Sequence, residues 1–242
     1  MHRYANPARF LKIANAILPY SLWATVLLTA VGLYMALFNS PPDYQQGETV
    51  RIMYVHVPAA WMGLFCYIGL AVASFVALVW KHPLADIAAK ASAPVGAVFT
   101  VICLVTGALW GKPMWGAWWV WDARLTSMLV LLFLYLGHMA LVNAFDDPGR
   151  GAKAGAVLAL VGAVNVPIIK FSVDWWNTLH QPAAVFRMDG PTIDTPILIP
   201  LLVMALAFKF YYLTVLLWAM RGEIAAAKLR SARLAEVHAG AT

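Results

Sequence analysis

Charged residues along this chain stand in short groups separated by long uncharged runs. Residues 13–42 carry no charge, nor do 52–80, 91–111 and 125–145. Sixteen uncharged residues lie between Lys153 and Lys170, and from Thr195 to Met220 the sole charge is Lys209. Crossing the hydrocarbon of a bilayer as a helix takes roughly 20 residues, with a range of about 17–25. Six spans are therefore expected, over residues 18–38, 59–80, 92–110, 125–145, 153–172 and 198–219. The fifth is short unless Lys153 and Lys170 reach outward to the boundary. The first run is too long for a signal peptide and lacks a small-residue cleavage site, so it reads as a retained helix.

Composition agrees with this pattern. Of the 242 residues, 62% are hydrophobic and 12% charged, against about a quarter charged in a soluble domain. The expected fold is an all-α membrane protein, a single bundle of six transmembrane helices. Lysine and arginine place its sides. Arg3, Arg9, Lys12, Lys81, Lys90, Arg150, Lys153, Arg221, Lys228, Arg230 and Arg233 fall on one side, eleven in all. Arg51, Lys112, Arg124, Lys170 and Arg187 make five on the other. Both termini are expected in the cytoplasm, with a solvated or surface-lying tail over 222–242. The excess of base is a matter of topology and calls for no nucleic acid. Cys66 and Cys103 lie inside spans and form no CxxC or CxxCH, which excludes a thiol–disulfide role and a c-type cytochrome.

Three segments share the outer side: 39–58, 111–124 and 173–197. The middle one completes the run WGKPMWGAWWVWD, with Trp110, Trp115, Trp118, Trp119 and Trp121 in twelve positions and Asp122 next. Tryptophans anchor helix ends at a membrane boundary, or provide a platform for a flat apolar ligand. One or two per helix end suffice as an anchor, and Gly111, Pro113 and Gly116 suggest a shaped loop, so the platform is favoured. Of six histidines, only His56 and His180 are expected outside. They open matching segments, HVPAA and HQPAA. Proline suits a first helical turn, so each histidine is expected just ahead of a helix start. A flat ligand that takes an imidazole on each face is haem. Arg51 and Arg124 stand near enough in sequence to grip its propionates. Asp122 is an outward carboxylate that either caps the fourth span or holds a tryptophan N–H. His138 and Lys209 are the ionisable residues placed deep in spans. They could face each other, line a cavity or meet a partner, and lean to a structural role.

The tryptophan run resembles the WWD motif of haem-handling proteins. In the pattern WGxxWxxWWxWDxRLT every fixed position is present: Trp110, Gly111, Trp115, Trp118, Trp119, Trp121, Asp122, Arg124, Leu125 and Thr126. With six spans and one outer histidine on each side of the motif, the chain is similar to the CcmC family of System I cytochrome c maturation. The resemblance implies haem b bound by His56 and His180 at the periplasmic face of a bacterial inner membrane. It implies presentation of that haem to the chaperone CcmE, with the ABC transporter pair CcmA and CcmB and the small protein CcmD as further partners. A subunit that moves haem across the membrane, a haem lyase and a structural subunit without cofactor are the alternatives. No acid–base pair or nucleophile speaks for the lyase.

Overall fold

The computed structural model describes residues 5–239, without the side chains of residues 234 and 237–239. His2 and Arg3 lie outside the described residues, as do the last three of the tail. The described residues form seven α-helices: α1 Pro7–Tyr34, α2 Met53–Trp80, α3 Pro83–Trp115, α4 Ala123–Asn143, α5 Pro148–Gly162, α6 Asn165–Trp175 and α7 Thr195–Ala239. A π turn, Met35–Asn39, extends α1, and a 3-10 turn, Glu48–Ile52, leads into α2. Six helical segments are long and apolar enough to cross a membrane, the fifth composed of α5 and α6 together.

The helices outrun the uncharged stretches because their ends are capped beyond them. The Asn6 side chain accepts from the N–H groups of Ala8 and Arg9, and Pro7 occupies the first turn, where its missing N–H costs nothing. Asp147–Pro148 starts α5 in the same way, the Asp147 side chain accepting from Gly149 N–H, whereas α3 starts at His82–Pro83 with the proline alone. Lys81, in the left-handed region at φ 49°, turns the chain between α2 and α3 within two residues.

Small residues bring the helices together, as expected where lipid offers no hydrophobic drive and close contact must hold the bundle. Gly96 on α3 lies against the Tyr135 ring of α4, and a Cβ there would collide with it. Gly162 on α5 makes similar room for the Tyr67 hydroxyl. Tyr135 passes its hydroxyl proton to the Gly63 carbonyl at 2.7 Å and meets Tyr67 edge-on at 5.0 Å. The main core gathers Met62, Cys66, Leu70, Phe99, Met128 and Leu131 around these tyrosines. A second cluster joins Ala36, Val50, Tyr54, Ile197, Leu201 and Met204, with Trp61 and Trp110 against it. It ties α1, α2 and α7 together on the side that carries the tryptophan run.

The packing adds a detail to one expectation and removes one of the alternatives left open for another. The fifth span is broken at residues 163–164, where Gly162 ends α5 and Pro167 sits in the first turn of α6. Asn165, at the start of α6, ties the break to α4, its amide donating to the Ser127 carbonyl at 2.8 Å. His138 and Lys209 do not face each other. His138 is held by the Gly155 carbonyl at 2.9 Å between α4 and α5, whereas Lys209 lies over the Phe65 ring at 5.7 Å between α7 and α2.

Candidate functional site

The tryptophan run is less of a loop than its glycines and proline suggest. α3 continues through Gly111, Lys112 and Pro113 to Trp115 and stops at Gly116, whose φ of 75° favours a residue without Cβ. Gly116 N–H closes on the Lys112 carbonyl at 3.1 Å, and the Lys112 ammonium donates to the Gly116 carbonyl at 3.0 Å. Irregular backbone therefore covers only residues 116–122, and Asp122 begins α4 by accepting from Leu125 N–H at 2.8 Å.

The matching HxPAA segments do not share a conformation. His56 stands inside the first turns of α2, because the 3-10 turn before it has already started the coil. His180 belongs to an irregular stretch between Trp176 and Thr195, and no helix follows its QPAA. What the two histidines share is the way each ring is held. His56 places Nδ1 3.0 Å from the Cys103 carbonyl and 3.1 Å from the Thr106 hydroxyl, both on α3. The Thr106 proton already goes to the Ile102 carbonyl at 2.6 Å, so its oxygen is an acceptor toward the ring. Gly107 makes this approach possible: a Cβ there would stand 3.0 Å from His56 Cε1. His180 places Nδ1 3.4 Å from Asp122 Oδ2, at the long end of hydrogen bonding. Thr178 donates its hydroxyl to the same oxygen and accepts the His180 backbone N–H at 3.1 Å.

With acceptors beside both Nδ1 atoms, the proton of each neutral ring belongs on Nδ1, and Nε2 keeps its lone pair. Metal-binding histidines are commonly oriented in this way, by a carbonyl or carboxylate on the other nitrogen. Burial pushes the His180 imidazole below its ordinary range; Asp122 pulls it back in part, and Arg124 lowers it further. Burial would raise the Asp122 carboxyl, but Leu125 N–H, the Thr178 hydroxyl and His180 outweigh that and leave it below its usual value. At neutral pH the pair is an ionised carboxylate beside a neutral imidazole.

The tryptophans divide their tasks. Trp110 meets the His56 ring edge-on at 5.5 Å, its own N–H fixed on Gln46 Oε1 at 2.9 Å. Trp115 meets His180 at 4.9 Å. Trp119 turns a buried N–H inward with no protein acceptor and crosses Trp121 at 5.4 Å. Trp118 and Trp121 stay exposed, the former under Lys112 at 6.0 Å. Both arginines have tasks in the fold. Arg51 binds Glu48 and the Ala36 carbonyl, closing the π turn. Arg124 donates to Ser172 Oγ at 3.1 Å and to the Ile169 and Lys170 carbonyls at 3.3 Å, which pins α6 to α4. Sequence reasoning missed Gln46, Thr106, Gly107 and Thr178. Only Thr178, two residues before His180, carries a local signal, since a hydroxyl at that spacing can turn back onto the backbone.

The family model described as Heme exporter protein C (CcmC) matches residues 1–235. The chain belongs to that family. A Heme exporter protein C of Bradyrhizobium diazoefficiens is 58% identical over 230 residues, covering 95% of this chain and 87% of the relative. That of Escherichia coli strain K12 is 50% identical over 198 residues, 81% of either chain. A putative cytochrome c biosynthesis ccmC-like mitochondrial protein of Marchantia polymorpha is 49% identical over 183 residues, 76% of this chain and 77% of its own. Haem suits the CcmC site on chemical grounds. Two imidazoles could each offer Nε2 to an iron, indole faces could give broad apolar contact, and the buried Trp119 N–H and the remaining Nη groups of Arg51 and Arg124 are donors to spare among the described residues.

Proposed function

We propose that this chain binds haem b between His56 and His180 at the periplasmic surface of a bacterial inner membrane, and presents it to the chaperone CcmE for c-type cytochrome maturation. The names of the relatives, heme exporter and cytochrome c biosynthesis protein, support the general task. The observation that carries the finer reading is the pair of rings, each with Nδ1 on an acceptor and Nε2 left for a ligand.

In this reading His56 and His180 would hold haem, which would supply the iron they bind, and the rest is the work of the chain. α3 fixes the His56 ring through Cys103, Thr106 and Gly107. Asp122 holds His180 in the tautomer with a free Nε2 and strengthens it as a donor. Trp110 and Trp115 wall the space beside the two rings, and Trp119 offers its N–H. Two histidines on one iron leave no open position for oxygen chemistry, which suits holding and handing over. Passage across the membrane receives less support, because His138 and Lys209 sit at separate helix interfaces and form no continuous polar path. In the same reading both termini lie in the cytoplasm, and CcmA, CcmB and CcmD are partners in releasing the loaded chaperone.

The test is the absorption spectrum of the purified protein. A low-spin, six-coordinate spectrum is expected, and His56→Ala or His180→Ala should each open a position that added imidazole refills. If both single variants keep the parent spectrum, the iron is held elsewhere and the reading fails. Aromatic-to-alanine changes across residues 115–121 should lower haem-loaded CcmE per unit of inserted protein; an unchanged ratio would make the run an anchor only.

A further inference from the structure

Between α2 and α7 lies a lateral cavity of about 290 Å³, lined by Trp61, Met62, Phe65, Leu202, Leu206 and Lys209, with Phe186 of the segment that carries His180 packed on Trp61 at 5.0 Å. Phe65, Leu202 and Leu206 are 48%, 42% and 44% exposed, so the space opens sideways to the surface that meets lipid. Lys209 is itself exposed there.

A charge at this depth is costly, and such residues nearly always have a partner. Lys209 lies 14 residues from Thr195 and 12 from Arg221, which bracket the apolar stretch. At 1.5 Å per residue these separations are about 21 and 18 Å. A lysine side chain of five bonds, each roughly 1.5 Å, reaches about 6 Å, so its ammonium meets neither boundary. The cavity wall contains no carboxylate. The acidic residues that flank Lys209 along α7, Asp194 and Glu223, stand at opposite ends of the span, and Glu223 is paired with Lys90 at 2.9 Å. The Phe65 ring at 5.7 Å is the partner the structure provides.

We propose that the α2–α7 groove seats a transmembrane helix of another membrane protein, whose apolar segment carries an aspartate or glutamate that pairs with Lys209. The spacing of the α7 wall fits such an occupant. Leu202, Ala205, Leu206 and Lys209 follow one helical stripe, and on α2 the exposed row runs on through Phe65, Ile68, Val72 and Phe75. A second helix laid along both rows meets side chains for several turns, with Ala205 allowing close approach. A lipid phosphate does not reach this depth. A haem propionate would neutralise the lysine only while cargo passes, whereas a charge at this depth of a span calls for a resident partner at all times.

The experiment places a photoreactive benzophenone amino acid at Leu206 in the full chain, in its native membranes, with Val157 on α5 as control. An adduct with one membrane protein is expected from 206 and not from 157, and mass spectrometry of the adduct should find an acidic residue within an apolar segment. Lys209→Glu should reduce the adduct at least tenfold, and exchange of the partner's acid for lysine should restore it. Lys209→Met, which keeps the chain insertable if the charge reversal does not, should also weaken the adduct while leaving bound haem per inserted chain unchanged. Absence of an adduct at 206, a partner without an intramembrane acid, or an adduct that survives both variants overturns the proposal. So does a fall in bound haem in Lys209→Met with the adduct intact, which would assign the carboxylate to haem itself.

Discussion

Asp122 holds three groups at once: Leu125 N–H at 2.8 Å, the Thr178 hydroxyl, and His180 Nδ1 at 3.4 Å. Replacing it by alanine and by asparagine separates these tasks. Alanine removes the cap, a loss of about 1 kcal/mol within a usual range of roughly 0.5–2. It also strips a part-buried hydroxyl of its acceptor, about 1–3 kcal/mol more. For a chain of this size each kcal/mol moves the melting temperature by about 2–4 °C, so Asp122→Ala should melt roughly 4–16 °C lower. Asparagine caps a helix as well as aspartate does, so Asp122→Asn should melt within a few degrees of the parent. Its amide, however, can turn an N–H toward His180 where the carboxylate could only accept. The ring then favours the tautomer with the proton on Nε2, the nitrogen meant for iron. Loss of such an orienting partner typically costs about 10–100-fold in metal affinity, equivalent to roughly 1.4–2.8 kcal/mol. Haem titration followed at the Soret band in nanodiscs, with melting followed by circular dichroism, measures both effects. The asparagine variant should therefore be nearly as stable as the parent yet bind haem at least tenfold more weakly, and Asp122→Asn should cause no further loss in a His180→Ala background. Parent-like affinity in Asp122→Asn, or fully additive losses in the double variant, would reduce Asp122 to a helix cap.

Three further outcomes are expected. Gly107→Ala should displace the His56 ring by a few tenths of an ångström, because its Cβ would stand 3.0 Å from Cε1; electron paramagnetic resonance of the ferric haem should show changed axial geometry in a chain that still inserts, and an unchanged signal refutes the role given to Gly107. His180 has its folded pKa below the ordinary value of about 6.5. Its neutral form therefore contributes fully above pH ~6.5, and that contribution is lost as pH falls toward the depressed folded value, so haem retention should be flat from pH 8 to about 6.5 and decline below. Decline beginning well above that point contradicts a buried, neutral His180. Reporter fusions after residues 48, 118 and 188 should all report the periplasm; a cytoplasmic signal from the fusion at 118 would separate the tryptophans from both histidines.

Much of the fold could be read in the spacing of charge. A run such as 52–80 admits few structures other than a helix in lipid, and the six runs match six helical segments. The break between α5 and α6 was harder to see, because a span is judged by length and apolarity and both persist through residues 163–164. Gly162 followed by Pro167 was the signal, a stop and a start only five residues apart. At the site, residue type and side of the membrane were enough to nominate His56, His180 and the tryptophans. Conformation was not legible: HVPAA and HQPAA look alike, yet the first is drawn into α2 by the turn before it and the second is not. Nor could sequence show that a carbonyl of Cys103 or the absent side chain of Gly107 shapes the His56 ring. Those contacts join α2 and α3 some 50 positions apart, and arise from helix packing that has no local pattern.

The supports of the two histidines also differ in what it takes to part them. His56 is mounted on α2, and shifting it would disturb Cys66, Tyr67 and Leu70 farther along the same helix, all fully buried. His180 rides on an irregular segment, fastened near Asp122 by the Thr178 hydroxyl, by its own Nδ1 contact with the carboxylate and by the Trp115 ring set at an angle to it. The jaw is therefore fixed on one side and hinged on the other. If a ligand is held between the rings as proposed, the His180 side is the one that would yield, and the conformational entropy regained when that segment loosens would help the grip to open. An acceptor that binds the 177–194 segment and undoes the Thr178 latch would trigger release without touching the ligand at all.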